Sequence, residues 1–138
     1  MNREEIKQFL PHREPMLLLD EVNLVDGRSQ AKYYVRGDEF FLQGHYPGNP
    51  VVPGVIQCEI MAQSCSILLL EKLVGKTPLY AGIDKVRFKR QVKPGDTFEV
   101  TGELLEQKRN IFFCRAEGSV NGEKAVSADL MFALIDKE

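Results

Sequence analysis

Bulk charge of either sign is missing from this sequence: 18 Lys and Arg stand against 20 Asp and Glu, a net charge of −2 over 138 residues. That balance excludes the general basic signal of a nucleic-acid binder and leaves electrostatic docking to local patches. Cysteine is scarce. Because Cys58, Cys65 and Cys114 are only three, at least one stays unpaired. Cys58 and Cys65 lie seven apart on one predicted helix, about 10 Å of rise, too far to bridge. No CxxC and no His/Cys cluster has metal-ligand spacing, so the cysteines read as small buried hydrophobes in a reducing compartment. No run approaches about 18 uninterrupted apolar residues, which argues against membrane insertion. The start, MNREEIKQFL, has no signal-peptide apolar region. Together these absences predict a cytoplasmic protein. Linkers, repeats and low-complexity stretches are also missing, so residues 1–138 read as a single domain, large enough to bury a core.

What is present divides into one apolar helix and a series of strands. Asn2 followed by Glu5 predicts a helix start that Pro11 ends. MLLLDEVNLV (16–25) reads as a strand, Asp26-Gly27 as a tight turn, 29–37 as its partner strand, and FFLQ (40–43) as a short extended piece. The segment 55–74 is the one convincing long helix, apolar around most of its circumference, with Gly75 as its stop. After it, 79–92, 97–107, 111–120 and 123–135 read as antiparallel strands separated by Pro94-Gly95-Asp96, 108–110 and Asn121-Gly122. A sheet and a single apolar helix bury one another best when the sheet wraps the helix. The expected class is therefore α+β with a hot-dog fold.

Histidine and buried charge are rarer still, and their placement is informative. The chain has two histidines, and from His45 to Leu70 the only formally charged side chain is Glu59. A carboxylate in apolar helix is costly without a reason. Gln63, four residues on, shares its face and is placed to orient it, with Ser66 a turn further. Burial without a full positive partner predicts a raised carboxyl pKa, which suits a proton donor. His45 sits in a turn held by Gly44, Pro47, Gly48 and Pro50, and neutral imidazole is a base near physiological pH. Pro53-Gly54 opens the helix, and the free N–H groups of its first turn favour an oxyanion. Taken singly, each has a structural reading: a satisfied carboxylate, a loop histidine bonding backbone, a helix start. Base, acid and oxyanion donor together are the parts needed to remove a proton next to a carbonyl and expel a neighbouring hydroxyl. His12, with no carboxylate near it in sequence, reads as structural.

The run GHYPGNPVVPGVIQCEIMAQ (44–63), with LPHREPMLLLDEV (10–22) and AGIDKVRFKRQVKPGD (81–96), resembles the FabZ-type (3R)-hydroxyacyl-ACP dehydratases of bacterial type II fatty acid synthesis. The resemblance implies a hot-dog homodimer with a continuous sheet, three dimers forming a hexamer, and active sites shared between protomers. It implies that His45 removes the C2 proton, that Glu59 of the other chain, directly or through water, delivers a proton to the departing 3-hydroxyl, that the Gly54 N–H polarises the thioester carbonyl, and that Gln63 orients Glu59. No metal or organic cofactor is implied; the substrate rides on the phosphopantetheine arm of acyl carrier protein. Val51, Val52, Val55, Ile56, Ile83 and Phe88 are the candidates for lining an acyl tunnel. Lys85, Arg87, Lys89, Arg90 and Lys93 form a basic edge for docking the acidic carrier, with Lys85, Arg87 and Lys89 on one strand face. Departures are Tyr46 for the usual phenylalanine, Glu14 where an aromatic is common, and Leu79 before Tyr80 in place of an aromatic pair. A hot-dog acyl-thioester hydrolase and a non-catalytic acyl-binding hot dog are the alternatives. The pattern Asp…Asn-Pro…His of MaoC-type hydratases is absent, and Glu59, where FabA-type isomerising enzymes carry aspartate, leans against isomerase activity.

Overall fold

The computed structural model describes residues 1–137. Its first element, helix α1 (Arg3–Ile6), is closed by a capping box in which Asn2 accepts from the Glu5 N–H and the Glu5 side chain accepts from the Asn2 N–H. Strands β1 (Glu21–Val25) and β2 (Arg28–Tyr34) follow, joined at Asp26 and Gly27, both at positive φ as a type I′ turn requires. Helix α2 (Gly54–Cys65) precedes β3 (Lys76–Phe88), β4 (Thr97–Lys108), β5 (Ile111–Val120) and β6 (Glu123–Asp136). The strands form one six-stranded antiparallel sheet in the order β1-β2-β4-β5-β6-β3, so β1 and β3 are its edges.

Alternation explains which side of the sheet is filled. Along β5, Phe112, Cys114, Ala116, Gly118 and Val120 are buried, and the residues between them are not. These side chains pack on α2, where Ile60, Met61 and Cys65 are almost fully buried and Gln57, Gln63 and Ser64 are buried with them. A helix enclosed on several sides shows no single apolar stripe. All three cysteines are buried and free. By length and composition the helical stretch Gly54–Leu73 would suffice to cross a bilayer, which a count of uninterrupted apolar residues misses; 61% of it is buried inside the fold, as a core helix is.

Five sequence expectations need correction. The first helix does not reach Pro11: it ends at Ile6, and residues 7–9 continue only as turns. Residues 16–20 are not strand: Leu17, Leu18 and Leu19 are all buried, which alternation forbids, and the Met16 and Leu17 N–H groups turn back to the Arg13 carbonyl. Phe40–Leu42 is a 3₁₀ turn, not an extended piece. The long helix is α-helical only to Cys65 and continues as 3₁₀ over Ser66–Leu73. The tightening begins where the Ser64 hydroxyl donates to the Ile60 carbonyl and the Ser66 hydroxyl and N–H both donate to the Gln63 carbonyl, so side chains compete for the α-helical acceptors. On β3, the register breaks between Asp84 and Arg87, with Lys85 at a φ of 53°, so Lys85, Arg87 and Lys89 do not share one face by simple alternation.

One glycine is needed for packing. A Cβ on Gly118 would stand 2.2 Å from the Phe98 ring, which is fully buried and has no room to swing. Gly118→Ala is expected to destabilise the fold by about 1–3 kcal/mol through overpacking. Urea unfolding would show this as a lower midpoint at unchanged slope; an unchanged midpoint would mean that the β4–β5 contact yields more easily than a 2.2 Å approach implies.

Candidate active site

Glu59 and Gln63 project from the same face of α2, as their spacing predicts. The Gln63 amide donates to Glu59 Oε2 at 2.8 Å and to the Met16 carbonyl at 2.7 Å, while its own carbonyl accepts from the Leu18 N–H at 2.8 Å. Every polar atom of this buried amide is therefore engaged, and its rotamer is fixed. The leucine segment 16–18 that departs from strand geometry does so over this helix, with Gln63 as the bridge.

The structure adds two partners that the sequence pattern does not indicate. His12 Nε2 lies 3.2 Å from Glu59 Oε2, although 47 residues separate them. Tyr80, on the edge strand β3, donates its hydroxyl to the Cys58 carbonyl at 3.2 Å and stands beside Glu59. Neither contact carries a local signal, because both are made by chain crossing. Their effect overturns the expectation of a raised Glu59 pKa. Burial does push that carboxyl up and is the largest single influence, but His12, Gln63 and Tyr80 together outweigh it and hold Glu59 below the usual carboxylate range. The Tyr80 phenol is pushed well up, by partial burial first and by the Glu59 charge second. Glu59 opens on a cavity of about 170 Å³, lined also by Leu10, Ser66, Leu69, Leu79 and Phe132.

His45 lies elsewhere on the same protomer. Its turn is bounded by Gly44 and Gly48 at positive φ and closed by bonds from the His45 N–H to the Leu42 carbonyl and from the Asn49 N–H to the Tyr46 carbonyl. Nδ1 is 2.9 Å from the Val51 carbonyl. A carbonyl only accepts, so in the neutral imidazole the proton sits on Nδ1 and Nε2 presents a bare lone pair. That is the tautomer of a base. The Tyr46 ring packs 4.6 Å away, centroid to centroid.

Around His45 is a second cavity, of about 480 Å³, lined by Val51, Val52, Gly54, Gln57, Phe88 and Arg90 among others. Gly54 opens α2 with no side-chain cap; Ile56 and Gln57 donate to the Pro53 carbonyl, and the first N–H groups of the helix remain. A Cβ there would come within 2.7 Å of the Phe88 ring, so glycine is what lets a flat group lie against this helix end.

Of the tunnel candidates, Val51, Val52 and Phe88 line this second cavity. Val55 is 78% exposed, and Ile83 is half exposed on β3; neither they nor Ile56 line either cavity. In the basic segment, Arg90 is occupied by Glu123 at 2.8 Å and Asp96 at 3.8 Å, and Lys85 lies 3.8 Å from Asp129. Among the described residues, Arg87, Lys89 and Lys93 have no carboxylate within salt-bridge reach.

A single protomer thus places Glu59 and Gln63 at one cavity and His45 with the N-terminus of α2 at another.

Residues 10–129 match the family model described as a FabA-like domain. The chain is 49% identical to the 3-hydroxyacyl-[acyl-carrier-protein] dehydratase FabZ of Oenococcus oeni, over 97% of this chain and 99% of that protein. It is 47% identical to the protein of the same name from Clostridium perfringens, with the same coverage. Among solved structures, the dehydratase heterocomplex ApeI:P from Xenorhabdus doucetiae superposes with a TM-score of 0.78 at 24% identity, covering 96% of this chain and 91% of that one. A hypothetical thioesterase with coenzyme A from Streptococcus pneumoniae reaches a TM-score of 0.65 at 16% identity, over 86% of this chain and 87% of that one. These last two likenesses speak for the hot-dog fold alone. With a family model over most of its length and relatives at nearly half identity from end to end, this chain belongs to the FabA-like family, among the FabZ 3-hydroxyacyl-[acyl-carrier-protein] dehydratases.

Proposed function

We propose that this enzyme dehydrates (3R)-hydroxyacyl-ACP to trans-2-enoyl-ACP in fatty acid elongation, in sites assembled from two protomers. His45 Nε2 takes the C2 proton while the Gly54 N–H, at the start of α2, stabilises the developing charge on the thioester oxygen. The C3–O bond breaks, the C2=C3 double bond forms, and the Glu59 carboxyl, which must first take up a proton because its surroundings hold it low, gives that proton to the departing hydroxyl, which leaves as water; the proton taken by His45 is returned to restore Glu59 for the next turnover. Proton, electron pair and leaving group are all accounted for by these groups, so the reaction asks for no metal or organic cofactor.

The observation that carries this reading is the 2.9 Å contact of His45 Nδ1 with the Val51 carbonyl, which in the neutral imidazole leaves Nε2 bare. Support for the shared site comes from β3. This edge strand exposes Leu79, Tyr80, Ile83 and Phe88, and it runs from the Glu59 cavity at Leu79 and Tyr80 to the His45 cavity at Phe88. Tyr80 and Phe88 lie four residues on either side of Asp84. A two-fold axis near Asp84, pairing β3 with its copy antiparallel, satisfies both bare edges and brings the Glu59 end of one protomer against the His45 end of the other. Three such dimers make the hexamer. Arg87, Lys89 and Lys93 steer the acidic carrier protein to the mouth; Arg90, already paired, contributes less than the sequence suggests. The reading implies a cytoplasmic enzyme.

Incubating the purified protein with 3-hydroxyacyl-ACPs of several lengths and weighing the products by mass spectrometry tests it. Loss of one water, giving the trans-2-enoyl thioester, is the expected result. Release of free acid instead would make the enzyme a hydrolase.

A further inference from the structure

The dehydratase reading leaves His12 unused, yet among the described residues it is the one ionisable side chain besides Tyr80 drawn up against Glu59. Its backbone is held from two sides. The Arg13 guanidinium donates to the carbonyls of Leu10, His12 and Lys7 at 2.7–3.3 Å, and Gln63 ties Met16 and Leu18 to α2. This double anchorage fixes where the imidazole points. It lies in the wall of the Glu59 cavity, 27% exposed against 17% for Glu59.

Two details of the contact define its sense. First, His12 Nδ1 is buried with no hydrogen-bond partner. An orphaned N–H is rarer and costlier than an unfilled lone pair, so the neutral imidazole keeps Nδ1 bare and carries its proton on Nε2, the nitrogen 3.2 Å from Glu59 Oε2. The two histidines of this chain therefore hold opposite tautomers: His45 is a base with Nε2 bare, and His12 is a donor with Nε2 protonated. Second, the His12 contact falls on the same carboxyl oxygen as the Gln63 bond, Oε2, at 3.2 Å and 2.8 Å. Two donors on one oxygen favour its carbonyl form. A proton placed on Oε2 would collide with both, so a proton taken up by Glu59 belongs on Oε1.

We propose that His12 is a positioning residue for the dehydration: with Gln63 it pins Oε2 of Glu59 and thereby makes Oε1 the oxygen that presents the proton to the departing hydroxyl. His12 touches no reacting atom and acts only through Glu59. The inference rests on the dehydratase reading of the same site. A carboxyl group free to offer its proton from either oxygen spends part of its time misdirected, and misplacement on the scale of one bond length lowers turnover without changing how the acyl chain is held.

Two substitutions separate this role from mere filling of space. His12→Gln places an amide N–H about where Nε2 stands; His12→Leu keeps the bulk and removes the donor. With circular dichroism and oligomeric state unchanged, His12→Leu is expected to lower kcat at least about tenfold with KM within about threefold, and His12→Gln to recover kcat to within about threefold of wild type. Equal activity in the two variants, whether both full or both lost, overturns the proposal. Should His12→Leu fail to fold, the wild-type enzyme decides it. In ¹⁵N NMR spectra at alkaline pH, where imidazoles are neutral, His12 is expected to carry its proton on Nε2 and His45 on Nδ1; a His12 proton on Nδ1 sinks the idea. Failure of the dehydratase reading itself looks different, since the wild-type protein then leaves 3-hydroxyacyl-ACP intact.

Discussion

His45→Ala is expected to lower the rate of dehydration by about 10²–10⁴, the usual contribution of a general base, equivalent to about 3–5 kcal/mol of transition-state stabilisation. The expectation follows from what the side chain does in the structure. Its Nδ1 is committed to the Val51 carbonyl, which leaves the neutral imidazole one free nitrogen, and among the described residues no second histidine or carboxylate lines its cavity. His45→Asn is the sharper variant. Its amide can still donate to the Val51 carbonyl and hold the turn, yet it offers no basic nitrogen, so it should be as inactive as alanine while melting closer to wild type. The hydrogen bond itself contributes about 0.5–1.5 kcal/mol of stability, too little to explain such a loss of rate through unfolding. Enoyl-thioester formation, followed by absorbance or mass, reads the effect. An alanine variant retaining a tenth or more of wild-type turnover would remove His45 from the reaction; if thioester hydrolysis survived in it, the hydrolase alternative would gain the ground lost.

Mixing two dead enzymes should make a live one. His45→Ala and Glu59→Gln each remove one half of every site. If base and acid come from different protomers, a mixed dimer contains one site with both groups intact and one with neither. Random pairing makes half of the dimers mixed, so about a quarter of all sites recover, lifting activity from about a hundredth of wild type or less to about a quarter. Co-expression with two affinity tags, followed by sequential purification, isolates the mixed species and raises the expected value to about half. No recovery in a verified mixed dimer would mean that each chain completes its own site. The antiparallel pairing of β3 about Asp84 would then have lost its functional reason, although its exposed edge and its exposed Leu79, Tyr80, Ile83 and Phe88 would still call for cover.

Much of the architecture is legible without coordinates because its signals are local. Asn2 and Glu5 cap the first helix, Asp26-Gly27 and Asn121-Gly122 turn their hairpins, and alternation along β5 and β6 separates core from surface. The errors fall where long-range partners override local pattern. MLLLDEV has the composition of a strand, but its first residues are captured by Gln63 and the Arg13 carbonyl. The last turns of the long helix have helical composition, yet serine hydroxyls upstream compete for the carbonyls they need. Strict alternation over 85–89 fails at a bulge that no residue type announces.

For the proposed site, the sequence by itself supplied the candidates: a histidine in a glycine-proline turn, a glycine at a helix start, and a carboxylate with glutamine four residues later in apolar helix. Spacing along a helix is a local quantity, so Glu59 and Gln63 had to meet. Tertiary structure alone decided the electrostatics and the division of labour. A carboxyl that burial should have raised is instead held low, because chain crossings bring His12 and Tyr80 to it. The two histidines meet different partners, a carbonyl at Nδ1 of His45 and a carboxylate at Nε2 of His12, and are therefore expected to hold opposite tautomers when neutral. Ionisation and proton placement depend on groups within a few ångströms in space, whatever their distance along the chain, and that information becomes available only when the sheet closes on the helix.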